Sequence, residues 1–199
     1  MTTSRADASN APRARGRGRT ALLIIDMINT FEFEGGSALA KQASRAVPQI
    51  VRLRTRFRVR KMPTIFCNDN FGRWRSDFRQ VYERCVGEGS RGKAIALQLR
   101  PAPTDYFVLK PKHSAFFSTP LELLLRSMNV RRLILTGIAG DGCVLSTAID
   151  AHIRNYDVTV VSDATASERH ASNERAMMHL REAVKGVGVV LASSAIRTL

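Results

Sequence analysis

The chain of 199 residues is poor in cysteine and contains no long apolar run. Its three cysteines, Cys67, Cys85 and Cys143, show no C-x-x-C spacing, and their odd number leaves one without a partner. Such a set is typical of a reduced, cytoplasmic protein rather than a disulfide scaffold. No stretch approaches the ~20 apolar residues of a membrane-spanning helix. We therefore expect no membrane partner. Because G-x-G-x-x-G and P-loop motifs are also missing, we expect no cofactor.

Acidic residues are also scarce, with 17 Asp and Glu against 31 Lys and Arg, and the formal net charge is +14. Residues 1–19 contribute +4 of this charge, and the densest basic run of the remainder is Arg52–Lys61. A basic chain can bind nucleic acid, but no recognition motif accompanies the charge, so we do not expect that partner. A solvated helix face is the commonest reason for such a run, and an anionic substrate is a second possibility.

The chain divides into a tail and one domain. Residues 1–19 consist mainly of Arg, Ala, Ser, Gly and Pro without apolar periodicity, which predicts a disordered tail. This segment also lacks the apolar centre of a secretory signal. Residues 20–199, in a chain with 44% hydrophobic residues, are long enough for a single domain with a substantial core.

Short apolar runs alternate with helical patterns throughout that domain. The runs predict six strands: Thr20–Ile25, Thr64–Cys67, Tyr106–Leu109, Arg132–Thr136, Val158–Val161 and Val187–Leu191. Helical spacing follows at residues 39–57, where Pro48 predicts either a kink or two helices, and at residues 120–128, 143–154 and 172–184. Short helical pieces and loops are expected over residues 72–100. This alternation predicts an α/β fold, a three-layer α/β/α sandwich around a six-stranded, mostly parallel sheet.

Three chemically informative residues fall at predicted strand ends. Asp26 follows the first strand, Lys110 follows the third, and Cys143 follows the fourth at the first turn of a helix. Ligands of parallel sheets bind at this carboxyl edge. Helix N-termini lower the pKa of a thiol, so we expect Cys143 to be a nucleophile. Asp26 would accept its proton, and Lys110 would stabilise both negative charges.

Each of these residues has a plainer interpretation when it is taken alone. Free cysteines are usually packing residues, so Cys143 could simply fill space at a tight turn. Asp26 could cap a helix, and Lys110 could be a solvated charge. The functional interpretation therefore depends on the three residues occurring together, with N–H groups of the turn from Ala139 to Cys143 as an oxyanion hole.

Together these residues resemble the isochorismatase-like cysteine hydrolase superfamily. The matching stretches are Ala21-Leu-Leu-Ile-Ile-Asp-Met27, Val108-Leu-Lys-Pro-Lys-His-Ser-Ala-Phe-Phe-Ser-Thr-Pro-Leu121 and Thr136-Gly-Ile-Ala-Gly-Asp-Gly-Cys-Val144. The resemblance covers nearly the whole domain and implies a Rossmann-like strand order, an Asp26–Lys110–Cys143 triad and a cis peptide between Ile138 and Ala139. Lys110 rather than Lys112 occupies the position of the family's lysine. The usual Thr of the nucleophile motif is Gly140 here, which would make the turn more flexible.

Departures from the family patterns narrow the expected activity. Nicotinamidases carry an Asp-x-His metal motif where this chain reads Asp69-Asn-Phe71, so we expect no metal and no nicotinamidase activity. Cysteine favours C–N hydrolysis, because isochorismatases that cleave a vinyl ether do not require it. The Pro-x-x-Ser-x-Phe-Phe-x-Thr-Pro-Leu pattern is similar to that of ureidoacrylate and carbamoyl amidohydrolases.

We therefore expect a hydrolase that cleaves a small amide, ureido or carbamoyl compound through a covalent acyl-enzyme. The alternatives are vinyl-ether hydrolysis and a non-catalytic basic binding protein on the same fold. A small molecule is the expected partner, and a homo-oligomer is expected. The residues predicted to line the substrate pocket are Phe31, Asn70, Trp74, His113 and Phe117.

Overall fold

The computed structural model describes residues 18–199. Residues 1–17 of the predicted tail therefore lie outside the described part of the chain. Arg19 corrects the predicted boundary of the tail, because it already belongs to the first strand. Its backbone N–H donates to the carbonyl of Asn129 at 2.9 Å, so the chain enters the sheet one residue before the predicted start of the domain.

In the described part of the chain, six parallel strands form one sheet in the order β3-β2-β1-β4-β5-β6. This order confirms the predicted parallel sheet, and it places the first and fourth strands side by side at the centre. The strands are β1 (Arg19–Ile25), β2 (Thr64–Asp69), β3 (Tyr106–Lys110), β4 (Val130–Ile138), β5 (Asp157–Ala166) and β6 (Val187–Val190).

Within residues 18–199, seven α-helices cover the two faces of the sheet, which confirms the three-layer sandwich. They are α1 (Gly36–Val59), α2 (Phe78–Val86), α3 (Lys93–Gln98), α4 (Leu121–Ser127), α5 (Leu145–Ile153), α6 (His170–Glu182) and α7 (Ala192–Arg197). Alternate residues of β1 pack into different clusters, Leu22 and Ile24 with α1, α2, α3 and α7, and Leu23 and Ile25 with α4, α5 and α6. Because a central parallel strand is covered on both faces, its sequence is a continuous apolar run rather than an alternating one.

Two predictions about helices need correction or completion. Pro48 lies inside one continuous helix, α1, so two separate helices are excluded, while the kink stays a prediction. The helix continues because fully buried Val47, Ile50 and Leu53 extend the apolar stripe past the proline. Each buried side chain contributes about 1.5–3 kcal/mol, and together these offset the ~3 kcal/mol that an interior proline costs. The six-residue helix α7 was not predicted, because a short Ser-containing segment gives too few turns for a periodic signal.

None of the helices within residues 18–199 combines the length and hydropathy that crossing a membrane requires.

Candidate active site

Lys110 is the centre of a buried polar cluster at the carboxyl edge of the sheet. Its side chain is 0% exposed at the last position of β3. Nζ lies 2.8 Å from Asp26 Oδ2, 3.3 Å from Cys143 Sγ and 3.1 Å from the carbonyl oxygen of Lys112. These contacts occupy all three donors of an ammonium group. An acid, a cation and a thiol from three different strand ends therefore meet in one place.

The Asp26 carboxylate is held on both of its oxygens. Oδ1 accepts a hydrogen bond from the backbone N–H of Asp69 at 2.7 Å, and Oδ2 contacts Lys110. The residue directly follows β1 and has a positive φ of 52°, and its own N–H donates to Cys67 O at 2.9 Å. Burial raises the pKa of Asp26, while the positive charge of Lys110 opposes that shift. A carboxylate with a raised pKa is a better proton acceptor than an exposed aspartate.

Cys143 lies in a single π-helical turn, Gly140–Val144, between β4 and α5. Burial and the nearby Asp26 charge raise the pKa of its thiol to about 12, although Lys110 acts in the opposite direction. The predicted lowering of this pKa at a helix N-terminus is therefore wrong for the substrate-free site, because desolvation of the thiolate outweighs the backbone dipoles. With this raised pKa, the Cys143 thiol is mainly protonated near neutral pH.

The chain reaches this turn through a cis peptide between Ile138 and Ala139. Three N–H groups of the turn are already engaged: that of Asp141 donates to Ser167 Oγ at 3.1 Å, and those of Gly142 and Val144 donate to Ala139 O at 3.0 Å. Ala139 and Cys143 remain our proposed oxyanion donors.

Gly140 is needed for space rather than for flexibility. A Cβ at this position would collide with the side chain of Asn173 and approach Thr165 Cγ2 to 2.9 Å, and its φ is not in the left-handed region. Asn173, which reaches the turn from α6, thus occupies the volume that a larger residue at position 140 would need. The structure thus gives a steric reason for glycine at position 140, and the greater flexibility of the turn stays a prediction.

Two hydrogen bonds join the loop after Lys110 to α5, the helix that follows the Cys143 turn. Ser114 Oγ donates to Asp150 Oδ2 at 2.5 Å, and the N–H of Ala115 donates to Thr147 Oγ1 at 3.0 Å. This places His113 Nδ1 at 3.6 Å from Cys143 Sγ. Our sequence analysis missed Thr147 and Asp150, although their spacing of three puts both on one face of a helix.

Two of the predicted pocket residues adjoin the polar cluster, His113 and Asn70, and the N–H of Asn70 donates to the carbonyl of Lys110 at 3.1 Å. His113 is exposed and lies beside Cys143. Phe31 is fully buried in the core, so the prediction that it lines an open pocket is corrected: it packs against other apolar side chains. Asn70 Oδ1 accepts from Gly72 N at 2.9 Å and shapes the turn after β2. Trp74 and Phe117 are 79% and 53% exposed.

The turn after β2 contains the segment Asp69-Asn-Phe71, at which we expect no metal. Asp69 Oδ1 accepts from Phe71 N at 2.5 Å, so this carboxylate caps its own turn. Across residues 18–199, no three or more His, Cys, Asp and Glu side chains are grouped in a way that could hold a metal ion.

Comparison with known proteins identifies the family. Residues 20–194 match the isochorismatase domain model. The chain is 45% identical over 157 residues to the uncharacterized isochorismatase family protein YaaI of Bacillus subtilis, covering 79% of this chain and 86% of that one. It therefore belongs to the isochorismatase family.

Other relatives differ in the activity that their names state. A probable inactive nicotinamidase of Arabidopsis thaliana is 34% identical over 167 residues, covering 77% of this chain and 85% of the relative. The ureidoacrylate amidohydrolase RutB of Cronobacter sakazakii is 28% identical over 175 residues, which are 74% of each chain.

Solved structures of the family share the fold. An isochorismatase family protein from Desulfovibrio vulgaris superposes with a TM-score of 0.73 at 27% identity, covering 92% of this chain and 98% of that one. The N-carbamoylsarcosine amidase from Thermoplasma acidophilum gives a TM-score of 0.66 at 27% identity, with 87% and 96% coverage.

Proposed function

We propose that the protein is a cysteine-dependent hydrolase that cleaves a C–N bond of a small amide, ureido or carbamoyl compound through a covalent acyl-enzyme. The observation that carries the proposal is the position of Lys110 Nζ, 2.8 Å from Asp26 and 3.3 Å from Cys143. One buried ammonium group in contact with both a base and a thiol is suited to stabilising a thiolate when it forms. A solitary packing cysteine would need neither partner.

In the first half of the reaction, Asp26 removes the proton of the Cys143 thiol. The thiolate attacks the substrate carbonyl carbon, and the backbone N–H groups of Ala139 and Cys143 stabilise the resulting oxyanion. The C–N bond then breaks as the intermediate collapses, and the leaving nitrogen takes the proton from Asp26. The products of this half are a thioester on Cys143 and free ammonia or an amine.

In the second half, water replaces the departed nitrogen. Asp26 accepts a proton from water while the water oxygen attacks the thioester carbonyl, and the same N–H groups hold the second oxyanion. Cleavage of the C–S bond releases the acid, and the thiolate recovers its proton from Asp26. Lys110 stays protonated throughout, because the neighbouring negative charges raise its pKa against the effect of burial.

The substrate class is supported by the relatives that carry an amidohydrolase or amidase name. The retained Cys143 favours this chemistry over vinyl-ether cleavage, for which a covalent nucleophile is not needed.

The test is a screen of amide, ureido and carbamoyl compounds for ammonia release, followed by Cys143→Ala with the best substrate. We expect kcat/KM to fall by more than about a thousandfold, as for loss of a covalent nucleophile. Cys85→Ala, a buried cysteine in α2, is the matched control and should retain activity. Retention of more than a few per cent of activity in Cys143→Ala would overturn covalent catalysis.

A further inference from the structure

A cavity lies at the amino edge of the sheet, at the ends of the strands opposite to Cys143. It has a volume of about 580 Å³, within the range of sites for small organic ligands. Its walls come from the first residues of β1, β2 and β3 together with the end of α1, including Arg19, Thr64 and Tyr106. The proposed hydrolase chemistry uses none of these residues.

The lining of this cavity includes one acidic residue, Asp105, and its carboxylate is paired with Arg54. Asp105 Oδ2 lies 2.5 Å from Arg54 Nη2 and also accepts from the N–H of Ala102 at 2.8 Å. Arg54 donates to the carbonyl of Arg100 at 2.8 Å and lies over the ring of Phe66. These contacts fix the pair in place. Arg54 and Asp105 together add no net charge to the cavity lining, so the pair does not offset the other cations.

Four further cations line the same cavity and form no ion pair within residues 18–199. They are Arg19, Arg58, Lys61 and Arg100. Arg19 Nη2 donates to the backbone carbonyl of Lys61 at 3.0 Å, which ties the start of β1 to the end of α1. The lining therefore carries a net charge of about +4, in the part of the chain where the basic run Arg52–Lys61 ends.

The negative end of the α1 helix dipole does not account for this excess of positive charge. The C-terminus of a helix provides roughly half a negative charge, which is far less than four full positive charges. The four cations are exposed, but they differ from an ordinary solvated basic face because they line a cavity rather than a convex surface. Guanidinium groups recognise phosphate through paired hydrogen bonds.

The cavity lining also includes apolar side chains, which a purely inorganic anion would leave unused. They are Val51, Met62, Pro63, Tyr106 and Met128, and Tyr106 is 41% exposed. An exposed aromatic ring is suited to contact with a flat organic moiety. We propose that this cavity binds an organic polyphosphate of nucleotide size, with its phosphates on the cations and its organic part against these apolar side chains.

The test measures ATP binding to the full chain by calorimetry at about 0.15 M salt, where exposed charges are well screened. We expect saturable binding of ATP, weaker binding of tripolyphosphate and none of adenosine. The double variant Arg58→Gln, Lys61→Gln should weaken ATP binding at least tenfold. Equally tight binding of tripolyphosphate would overturn the organic part of the proposal, and absence of saturable ATP binding would overturn all of it.

The matched control is Arg181→Gln, Lys185→Gln. Arg181 and Lys185 are likewise exposed residues, at the end of α6 and just after it, and they do not line the cavity. ATP affinity should stay within twofold in this variant. An equal loss in both double variants would show that only net charge matters and would overturn the site. Duplex DNA that binds through Arg58 and Lys61 without competition from ATP would replace the small ligand with nucleic acid.

Discussion

Each end of the sheet contains an ion pair shielded from solvent, buried for Lys110 and Asp26 and partly buried for Arg54 and Asp105, but the pairs differ in what else they contact. At the carboxyl edge, Lys110 joins Asp26 and then reaches the thiol of Cys143. At the amino edge, Arg54 joins Asp105 and then reaches a backbone carbonyl. The first pair therefore contacts a thiol, whereas the second contacts a backbone carbonyl.

This difference shows that a buried ion pair is not by itself evidence of catalysis. Both pairs satisfy the rule that a buried charge needs a partner. Only the Lys110 pair contacts a thiol, that of Cys143, and in our proposed mechanism Asp26 exchanges a proton with this thiol. The Arg54 pair instead links α1 to the segment before β3, which is a stabilising role.

The largest expected effect separates the lysine in the first pair from its neighbour in sequence. Lys110→Met should reduce kcat/KM by about 10²–10³, as does the loss of one oxyanion donor. Lys112→Met should change it by less than about threefold, because the Lys112 side chain is exposed and water screens its charge. Steady-state kinetics of both variants, with circular dichroism to check folding, gives the comparison.

Two outcomes would break this interpretation. A dead Lys112→Met beside an active Lys110→Met would mean that the wrong lysine has been chosen. Full activity in both variants would remove the cation from the mechanism altogether.

The second effect concerns the cysteines near the same pair. Cys67 is fully buried and Cys143 is partly exposed, so iodoacetamide should label Cys143 at least tenfold faster. With a thiol pKa raised to about 12, the thiolate fraction, and hence the rate, should rise about tenfold per pH unit between pH 7 and 9. Lys110→Met should lower the rate at every pH, because the cation favours the thiolate.

Peptide mass spectrometry of each cysteine across this pH range makes the measurement. A rate that is already constant near neutral pH would show a lowered Cys143 pKa and would contradict the expectation that burial raises it. Equal labelling of Cys67 and Cys143 would remove the accessibility argument.

The third effect concerns the second pair and should appear in stability. Asp105→Asn leaves Arg54 without its counter-charge, with only 17% of its side chain exposed. We expect a loss of about 1–3 kcal/mol in the free energy of unfolding. Asp157→Asn is the control, because its pair with Arg132 is 46% and 34% exposed and should contribute less than about 1 kcal/mol. Urea unfolding measures both, and equal losses would mean that burial is irrelevant.

The carboxyl edge could be predicted from sequence, and the amino edge could not. Asp26, Lys110 and Cys143 each follow an apolar run, and parallel strands bring their ends to one edge, so local patterns locate all three. The amino-edge cavity combines Arg19, Arg54 and Asp105, which are far apart in sequence and carry no common motif. The basic run was visible, but its arrangement around a cavity depends on tertiary packing.

Steric and second-layer contacts were beyond prediction for the same reason. Asn173 lies 33 positions from Gly140 in sequence, yet it occupies the space that a side chain there would need. The contacts of Ser114 and Ala115 with α5 also join distant segments. The direction of the Cys143 pKa shift was predicted wrongly, because the sequence shows where the helix starts but not how deeply the thiol is buried.

The smallest expected effect is that of metal removal, for which we predict no change in kcat/KM. The basis is the segment Asp69-Asn-Phe71, in which the residue two positions after the aspartate is Phe rather than His. Neutral imidazole is the usual anchor for a transition metal. Asp69 and Asn70 also direct side-chain oxygens to their own turn, accepting hydrogen bonds from Phe71 and Gly72.

A metal would have to compete with those hydrogen bonds for a single carboxylate, and one carboxylate is a weak site. The measurement is ammonia release after dialysis against EDTA, and again after zinc or manganese is added back, with untreated enzyme as the control. Activity that falls on chelation and returns with one metal would contradict the prediction. It would also change the comparison between the two edges, because the carboxyl edge would then hold a second positive charge beside Lys110.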